Sequence, residues 1–372
     1  MALSKVDLAN QVENQLPQNL VANNLPFRNI IINGDMSLAQ RGTSTASITT
    51  TGYYTVDRFQ ADVTNIGTWT QSQSTDTPTG QGFATSLKMD CTTADASPAA
   101  GDLLRITQRI EGQNIQYLKK GTANAESLTL SFWVKSNKTG TYIAELFDDN
   151  SRSISKSYTV NTTNTWEKKT ITYEGDTTGT IDNDNTIGLS LHLWLAAGST
   201  YTSGTLNTTW NSVTNANRAV GQVNLADSTS NEWYITGVQL EVGSAASDFE
   251  FLPHDVNLQR CQRYCQVYGG DQATQSVAVG AASSATGNVV TLKPLVKFRT
   301  TPSASVSAVA DFNYLQLSPF ATANLLSFSL ITANSSSDYV NLDLGISGAT
   351  ANSYQIIRTS NINARLTISA EL

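Results

Sequence analysis

The sequence predicts an all-β chain: a large jelly-roll-like β-sandwich, a smaller C-terminal β-sandwich, a short connector helix between them and an N-terminal helical anchor. Three observations lead there. Apolar side chains alternate over long stretches, as in Leu128, Leu130, Phe132 and Val134 and again in Leu189, Leu191, Leu193 and Leu195, the period-two signature of half-buried strands. Clusters of Gly, Asn and Asp at 137–140, 148–150 and 182–185 punctuate those stretches. A helical three-four-three apolar spacing stands out at one place, Leu258, Cys261, Cys265 and Tyr268.

Residues 1–26 form the expected anchor. Ser4 and Asp7 resemble a capping box, Ala9, Val12 and Leu16 give a sparse apolar stripe, and Pro17 stops it. So small an amphipathic element must dock on something else. Residues 27–250 carry the sandwich, with a short buried strand at 30–32 before an Asn33-Gly34 turn and a closing strand at 234–242. Residues 251–270 are the connector. Its seam of Leu258, Cys261, Cys265 and Tyr268 leaves Arg260 and Arg263 facing water, and a helix with so narrow a stripe is marginal alone. The expectation is that several copies gather about an axis along that seam. Residues 271–372 make the smaller β-domain, with strands at 277–279, 289–292, 305–309, 325–330, 339–344, 354–358 and 366–368. A chain of 372 residues suits two such domains.

Composition excludes several classes. Charged residues are 14% of the chain, against about 25% in ordinary soluble domains, and amides and hydroxyls replace them. A net charge of −7 argues against a nucleic-acid partner. No apolar run is long enough for membrane insertion, and the first residues lack a secretory core, so synthesis in a cytoplasm is expected. Cys91, Cys261 and Cys265 make no disulfide framework, and the latter two are small apolar seam residues in this reading. The chain carries no Gly-rich phosphate loop, Cys/His set or G-x-S-x-G turn, so no catalytic residue, metal or cofactor is assigned. Asp182 opens a calcium-like run, but Ile187 stands where such a loop needs glycine, which leaves a turn.

The parity of two strands singles out three residues. Trp133 lies opposite to the Leu128–Val134 core set, and His192 and Trp194 lie opposite to the leucines of 189–195. Bulky aromatics on that second face could stack on the apolar face of a pyranose ring. They could equally be buried against a loop, a second layer or a neighbouring subunit, the commoner fate of large aromatics.

Several segments resemble a family of tailed-bacteriophage tail-fibre and virion structural proteins: NIIINGDMSLAQRG at 29–42, YTVDRF at 54–59, SFWVKSN at 131–137, TGVQLEVG at 236–243, the FE…P…L…CQRY segment from Phe249, FRTTP at 298–302 and LTISAEL at 366–372. The large sandwich is also similar to carbohydrate-binding modules, a likeness of fold and not of function. The resemblance implies a homotrimeric fibre or appendage on the virion, made in the host cytoplasm and acting outside it. Its N-terminal segment would dock on other virion proteins, and a β-domain would attach to a host-surface glycan or receptor. The family transfers no defined binding residues. The alternatives are a glycan-depolymerising fibre, which needs paired carboxylates near the aromatic face, and a purely structural capsid or connecting fibre.

Overall fold

The computed structural model describes residues 27–148 and 151–372. The anchor expected over 1–26, with Ala9, Val12 and Leu16, lies outside the described residues. The protein is mostly β, with very little helix. It divides into two compact units, one ending at Leu252 and the other beginning at Pro253.

The N-terminal unit contains β1 (Ser44–Gly52), β2 (Gln60–Ser74), β3 (Ser86–Thr93), β4 (Leu103–Glu111), β5 (Leu128–Ser136), β6 (Gly140–Phe147), β7 (Arg152–Val160), β8 (Glu167–Tyr173), β9 (Ile187–Ala197), a single helical turn α1 (Ser199–Thr202), β10 (Asn211–Ser212) and β11 (Glu232–Val242). The hydrogen-bonded order is β10-β7-β6-β9-β4-β2-β3-β11-β5-β8, with β1 on β2. The long strand β2 belongs to both halves of this path. Its residues Gln60–Thr64 pair with β4 and Thr68–Ser74 pair with β3. Between them Asn65 and Gly67 take left-handed backbone angles, φ 47° and 65°. A strand that kinks and changes partners in this way turns one sheet into two facing layers.

The facing sides close a single core. Leu128, Leu130, Phe132 and Val134 of β5 and Leu189, Leu191, Leu193 and Leu195 of β9 are all buried there. Phe132 meets Tyr158 of β7 edge-on at 5.0 Å, and the Tyr173 hydroxyl of β8 donates to the Ala144 carbonyl of β6 at 3.1 Å. Each fully buried side chain of this size contributes about 1.5–3 kcal/mol relative to exposure, so the alternating strands make an all-β sandwich.

Residues 30–32 form no strand. Ile32 exchanges both its backbone groups with the side-chain amide of Gln108, at 2.7 and 2.9 Å, and Ile31 takes its acceptor from the side chain of Asn29. Ile30 donates to the Leu240 carbonyl at 2.9 Å, and side chains satisfy the next two residues where a ladder was expected.

The C-terminal unit opens with α2 (His254–Gln262), followed by β12 (Cys265–Tyr268), β13 (Ser276–Ala282), β14 (Gly287–Leu292), β15 (Ser303–Val306), β16 (Phe312–Leu317), β17 (Phe320–Asn324), β18 (Ser327–Leu330), β19 (Val340–Gly345), β20 (Tyr354–Thr359) and β21 (Leu366–Ser369). A three-stranded sheet, β12-β21-β15, and a seven-stranded sheet, β17-β16-β20-β13-β14-β19-β18, share one core. The helix expected over 251–270 is thus corrected to nine residues. Cys265 and Tyr268 pair with Ser369 and Leu366 in an antiparallel ladder. Residues three apart on a strand point to opposite faces, so these two cannot continue a stripe begun by Leu258 and Cys261. The helix buries Asn257 and Cys261 instead, one turn apart, and leaves Leu258 half-buried. Cys261 and Cys265 are buried within the unit, as is Cys91 in the other.

Candidate functional site

The three aromatic candidates fall on two different outer faces. His192 and Trp194 stand on β9, away from the leucine core, and both are buried, at 3% and 0% exposure. The cover comes from residues 199–219 of the same unit. Trp194 packs with Leu103, Ile143 and Ala219 and meets the Tyr201 ring at 5.3 Å. Ala219 donates its backbone N–H to Tyr201, and Asn207 bonds both Ser153 and Ser155 of β7, which stitches the cover down. Trp194 is therefore no open stacking platform; it is the centre of a second, smaller apolar cluster.

Beneath that cover lies a charged network. The Glu145 carboxylate accepts from Arg218 through Nε at 2.8 Å and Nη2 at 2.9 Å, from the Trp194 indole at 3.0 Å and from His192 Nδ1 at 3.0 Å. With its Nδ1 proton directed at Glu145, His192 is a donor there, so the guanidinium of Arg105 at 3.2 Å is a charge neighbour and not a hydrogen-bond donor to that nitrogen. Burial, then the positive charge of Arg105, pushes His192 down to about 4, and it is neutral at neutral pH. Burial works to raise Glu145, but the His192 hydrogen bond and the Arg218 charge outweigh it and hold the carboxyl at about 2. Arg105 in turn binds Asp62 at 2.7 Å. The Glu145 carboxylate is filled by partners within the unit, which makes this a structural polar layer.

Trp133 is placed differently. It is half-buried on β5, opposite Thr236 of β11 and Lys168 of β8. It lines a cleft of about 170 Å³ together with Gln81, Phe83, Ser131, Lys168, Gly237, Asp248, Phe249 and Phe251. Three phenylalanines make one wall, Phe83 lying 5.1 Å from both Phe249 and Phe251, and those two 4.8 Å apart. Phe251 is 50% exposed, a large apolar ring left open to water.

Local sequence explains how the wall is held. The β11–β5 register slips between Thr236 and Gln239, and Gly237 sits in the slip with φ 63°. A Cβ there would stand 2.6 Å from the Phe83 ring, so only glycine lets that ring lie on the strand. The segment after β11 is strapped back by Gln239, whose Oε1 accepts from the Glu250 amide at 2.8 Å, and by Ser247, which donates to Glu241 at 2.6 Å. Glu250 receives the Asn29 amide at 2.9 Å.

A second aromatic position lies on the same side of this layer. Lys135 of β5 is opposite Tyr234 of β11, and Lys88 of β3 is opposite Tyr234 on its other side. The Lys135 ammonium stands 4.4 Å from the Tyr234 ring centre, and Trp166 meets Tyr234 edge-on at 6.2 Å while its indole donates to Asp76 at 2.9 Å. Lys135 is two positions along β5 from Trp133, so the two aromatic positions share one face.

Sequence parity located Trp133 but missed Phe83, Phe249 and Phe251. Phe251 was inside the segment assigned to the connector, Phe249 stands past the closing strand at the sandwich's end, and Phe83 is in a loop with no period of its own. The Gly237 break in an otherwise alternating strand was the available signal. Among the described residues no group of three or more His, Cys, Asp or Glu side chains gathers as a metal site, and no helix is long and apolar enough to cross a membrane.

No family model and no curated protein matches the chain. Among solved structures it is similar to the enzymatically active domain of tailspike protein 4 of bacteriophage CBA120, at 16% identity and a TM-score of 0.30, over 59% of this chain and 22% of that one. It is similar to a putative sugar-binding protein from Bacteroides thetaiotaomicron, at 12% identity and a TM-score of 0.32, over 58% of this chain and all of that one. A family 11 carbohydrate-binding module from Clostridium thermocellum matches at 12% identity and a TM-score of 0.27, over 58% of this chain and 96% of that one. The chain thus spans about a fifth of the tailspike structure and the full length of the smaller modules.

Proposed function

We propose that the protein is a glycan-binding attachment protein and that the Trp133 cleft is its binding site. The observation that carries this reading is a half-buried tryptophan in a phenylalanine-walled cleft whose remaining lining is polar. A pyranose ring has the same division: an apolar face of C–H groups that packs on an aromatic ring, and a rim of hydroxyls that bond to groups such as Gln81, Ser131, Lys168 and Asp248. Asp248 is the one carboxylate in the lining, and hydrolysis by the usual pair needs two. That favours binding over cleavage.

The virion location rests on the resemblance of the sequence segments to phage fibre and virion proteins. In this reading residues 1–26 dock on other virion proteins and the sandwich touches the host surface. Several copies, three by the resemblance, would act together, because weak sites held at a short separation raise avidity by roughly 10²–10⁴.

The test is titration of the purified full chain with oligosaccharides cut from host surface polysaccharide. Saturable binding that Trp133→Ala removes, with the melting temperature unchanged, is the expected result. Binding that survives the substitution would sink the cleft, and progressive shortening of the polysaccharide would point to the depolymerase instead.

A further inference from the structure

Four charged side chains of the N-terminal unit meet away from the Trp133 cleft. Lys120 stands in the turn before β5, Asp148 directly after β6, Arg152 at the start of β7 and Asp176 just past β8. In the hydrogen-bonded path β6 and β7 belong to one half of the sandwich and β5 and β8 to the other. The four therefore gather where the two layers close on each other. Three of them are shut off from water: the side chains of Lys120, Asp148 and Asp176 are 6%, 0% and 1% exposed. The Trp210 ring centre lies 4.9 Å from the Lys120 nitrogen, and Leu118, Leu128, Ile181 and Leu189 line the same small cavity. Backbone closes a further side, since a Cβ on Gly179 would stand 2.5 Å from both Lys120 Nζ and Asp176 Oδ2.

The two acids are held differently. Asp176 accepts from Arg152 through Nε at 2.7 Å and Nη2 at 2.9 Å, and from the Thr178 amide at 3.1 Å. Burial works to raise it, but the Arg152 hydrogen bond and its other donors hold it at about 2. Its backbone carbonyl takes the Gly121 amide at 2.7 Å, which fixes the Lys120 turn beside it. Asp148 receives the Arg152 amide on Oδ1 at 2.6 Å and meets Lys120 Nζ with Oδ2. Lys120 Nζ also lies 3.2 Å from Asp176 Oδ2. Burial pushes the Lys120 ammonium down, toward the neutral amine. A desolvated lysine beside a carboxyl carbon, whose far oxygen is already held by an N–H, is a nucleophile set against its electrophile.

We propose that Lys120 and Asp148 condense into an isopeptide bond that ties the two layers of the sandwich together. Lys120 first passes a proton to Asp148, which leaves an amine facing a carboxylic acid. The nitrogen lone pair forms the Nζ–Cγ bond while the carbonyl pair moves onto Oδ1, against the Arg152 N–H. Asp176 takes a proton from the nitrogen and delivers it to Oδ2. The Oδ1 pair then returns, the Cγ–Oδ2 bond breaks and Oδ2 leaves as water. No oxidant or cofactor enters the balance. The amide removes one positive and one negative charge from a buried site, and the Asp176–Arg152 pair remains compensated. A covalent tie between distant segments restricts the unfolded chain as a disulfide does.

The experiment is the intact mass of the purified full chain under denaturing conditions, followed by peptide mapping. The expected mass is lower than the sequence dictates by one water, with a branched peptide that joins the Lys120 segment to the Asp148 segment. Lys120→Ala and Asp148→Ala should each return the mass to the sequence value. Asp176→Asn, with circular dichroism like the wild type, should be purified largely uncondensed. A wild-type chain at the full sequence mass, or a water lost at any other pair of residues, overturns the proposal. An Asp176→Asn chain that is fully condensed overturns the proton relay.

Discussion

Gly237 and Phe83 are locked together: a single methyl added to the glycine would stand 2.6 Å from the ring. The glycine also holds φ 63°, a conformation that L side chains rarely adopt. Gly237→Ala is therefore expected to cost about 1–3 kcal/mol through strain and overpacking. Displacing Phe83 should also loosen the wall it forms with Phe249 and Phe251. Chemical denaturation gives the first effect and oligosaccharide titration the second; a variant with native stability and native affinity would show that the ring has room to move.

Trp133 and Trp194 should separate function from stability. Trp194→Ala empties a fully buried site and removes an indole donor from Glu145, and large-to-small changes of this kind cost about 3–5 kcal/mol. Trp133→Ala removes a half-buried ring, so its melting temperature should stay close to wild type while glycan affinity falls roughly tenfold or more. Thermal melts and titrations on both variants decide it. The opposite pattern would move the binding site to β9.

The buried His192–Glu145 contact predicts an acid-sensitive sandwich. His192 is held down at about 4 in the fold against 6.5 unfolded, so between those values the unfolded chain binds the extra proton. Stability is then fully present above pH 6.5 and falls as the pH drops toward 4. Glu145, at about 2 against 4.5, adds a second loss that begins below 4.5 and runs toward 2. His192→Gln keeps an amide donor for Glu145 and should flatten the upper window alone. The measurement is denaturant midpoint against pH for both proteins, and parallel curves from 6.5 to 4.5 would remove His192 as the cause.

Trp166 tests the length of the bound chain. It lies on the same face as Trp133, beyond Lys135 and Tyr234, meeting the Tyr234 ring edge-on with the Lys135 ammonium over its own ring. Trp166→Ala should leave affinity for a disaccharide intact and weaken longer oligosaccharides severalfold, as the loss of an outlying contact does. Equal weakening for all lengths would mean that Trp166 shapes the layer and does not touch sugar.

Arg299 ties down the last residues of the C-terminal unit. Its Nε donates to the Ala370 carbonyl at 2.7 Å and its Nη2 to the Glu371 carbonyl at 2.9 Å. Replacement by alanine should cost about 1.5–3 kcal/mol per charged hydrogen bond at most, read as a lower denaturant midpoint. Hydrogen exchange should quicken at β21 first, and no change there would show the contact to be idle.

Period-two alternation settled the class of the fold and the inward face of strands such as β5 and β9, because that face depends on neighbours two residues away. It also put Trp133, His192 and Trp194 off the core. Their different fates depend on which outer face is covered, and the cover of Trp194 is residues 199–219, chain that carries no pattern of its own. The connector shows the same limit. Leu258 and Cys261 fit a helical spacing, and so did Cys265 and Tyr268, until the ladder to β21, about a hundred residues on, drew them into a strand. The cleft required still more: a bulge at Gly237, a loop bearing Phe83 and a strap bearing Phe249 and Phe251. Local periodicity decides what each segment can become. Long-range pairing decides what it meets, since a backbone partner or a covering loop satisfies polar groups and buries rings at any distance in sequence.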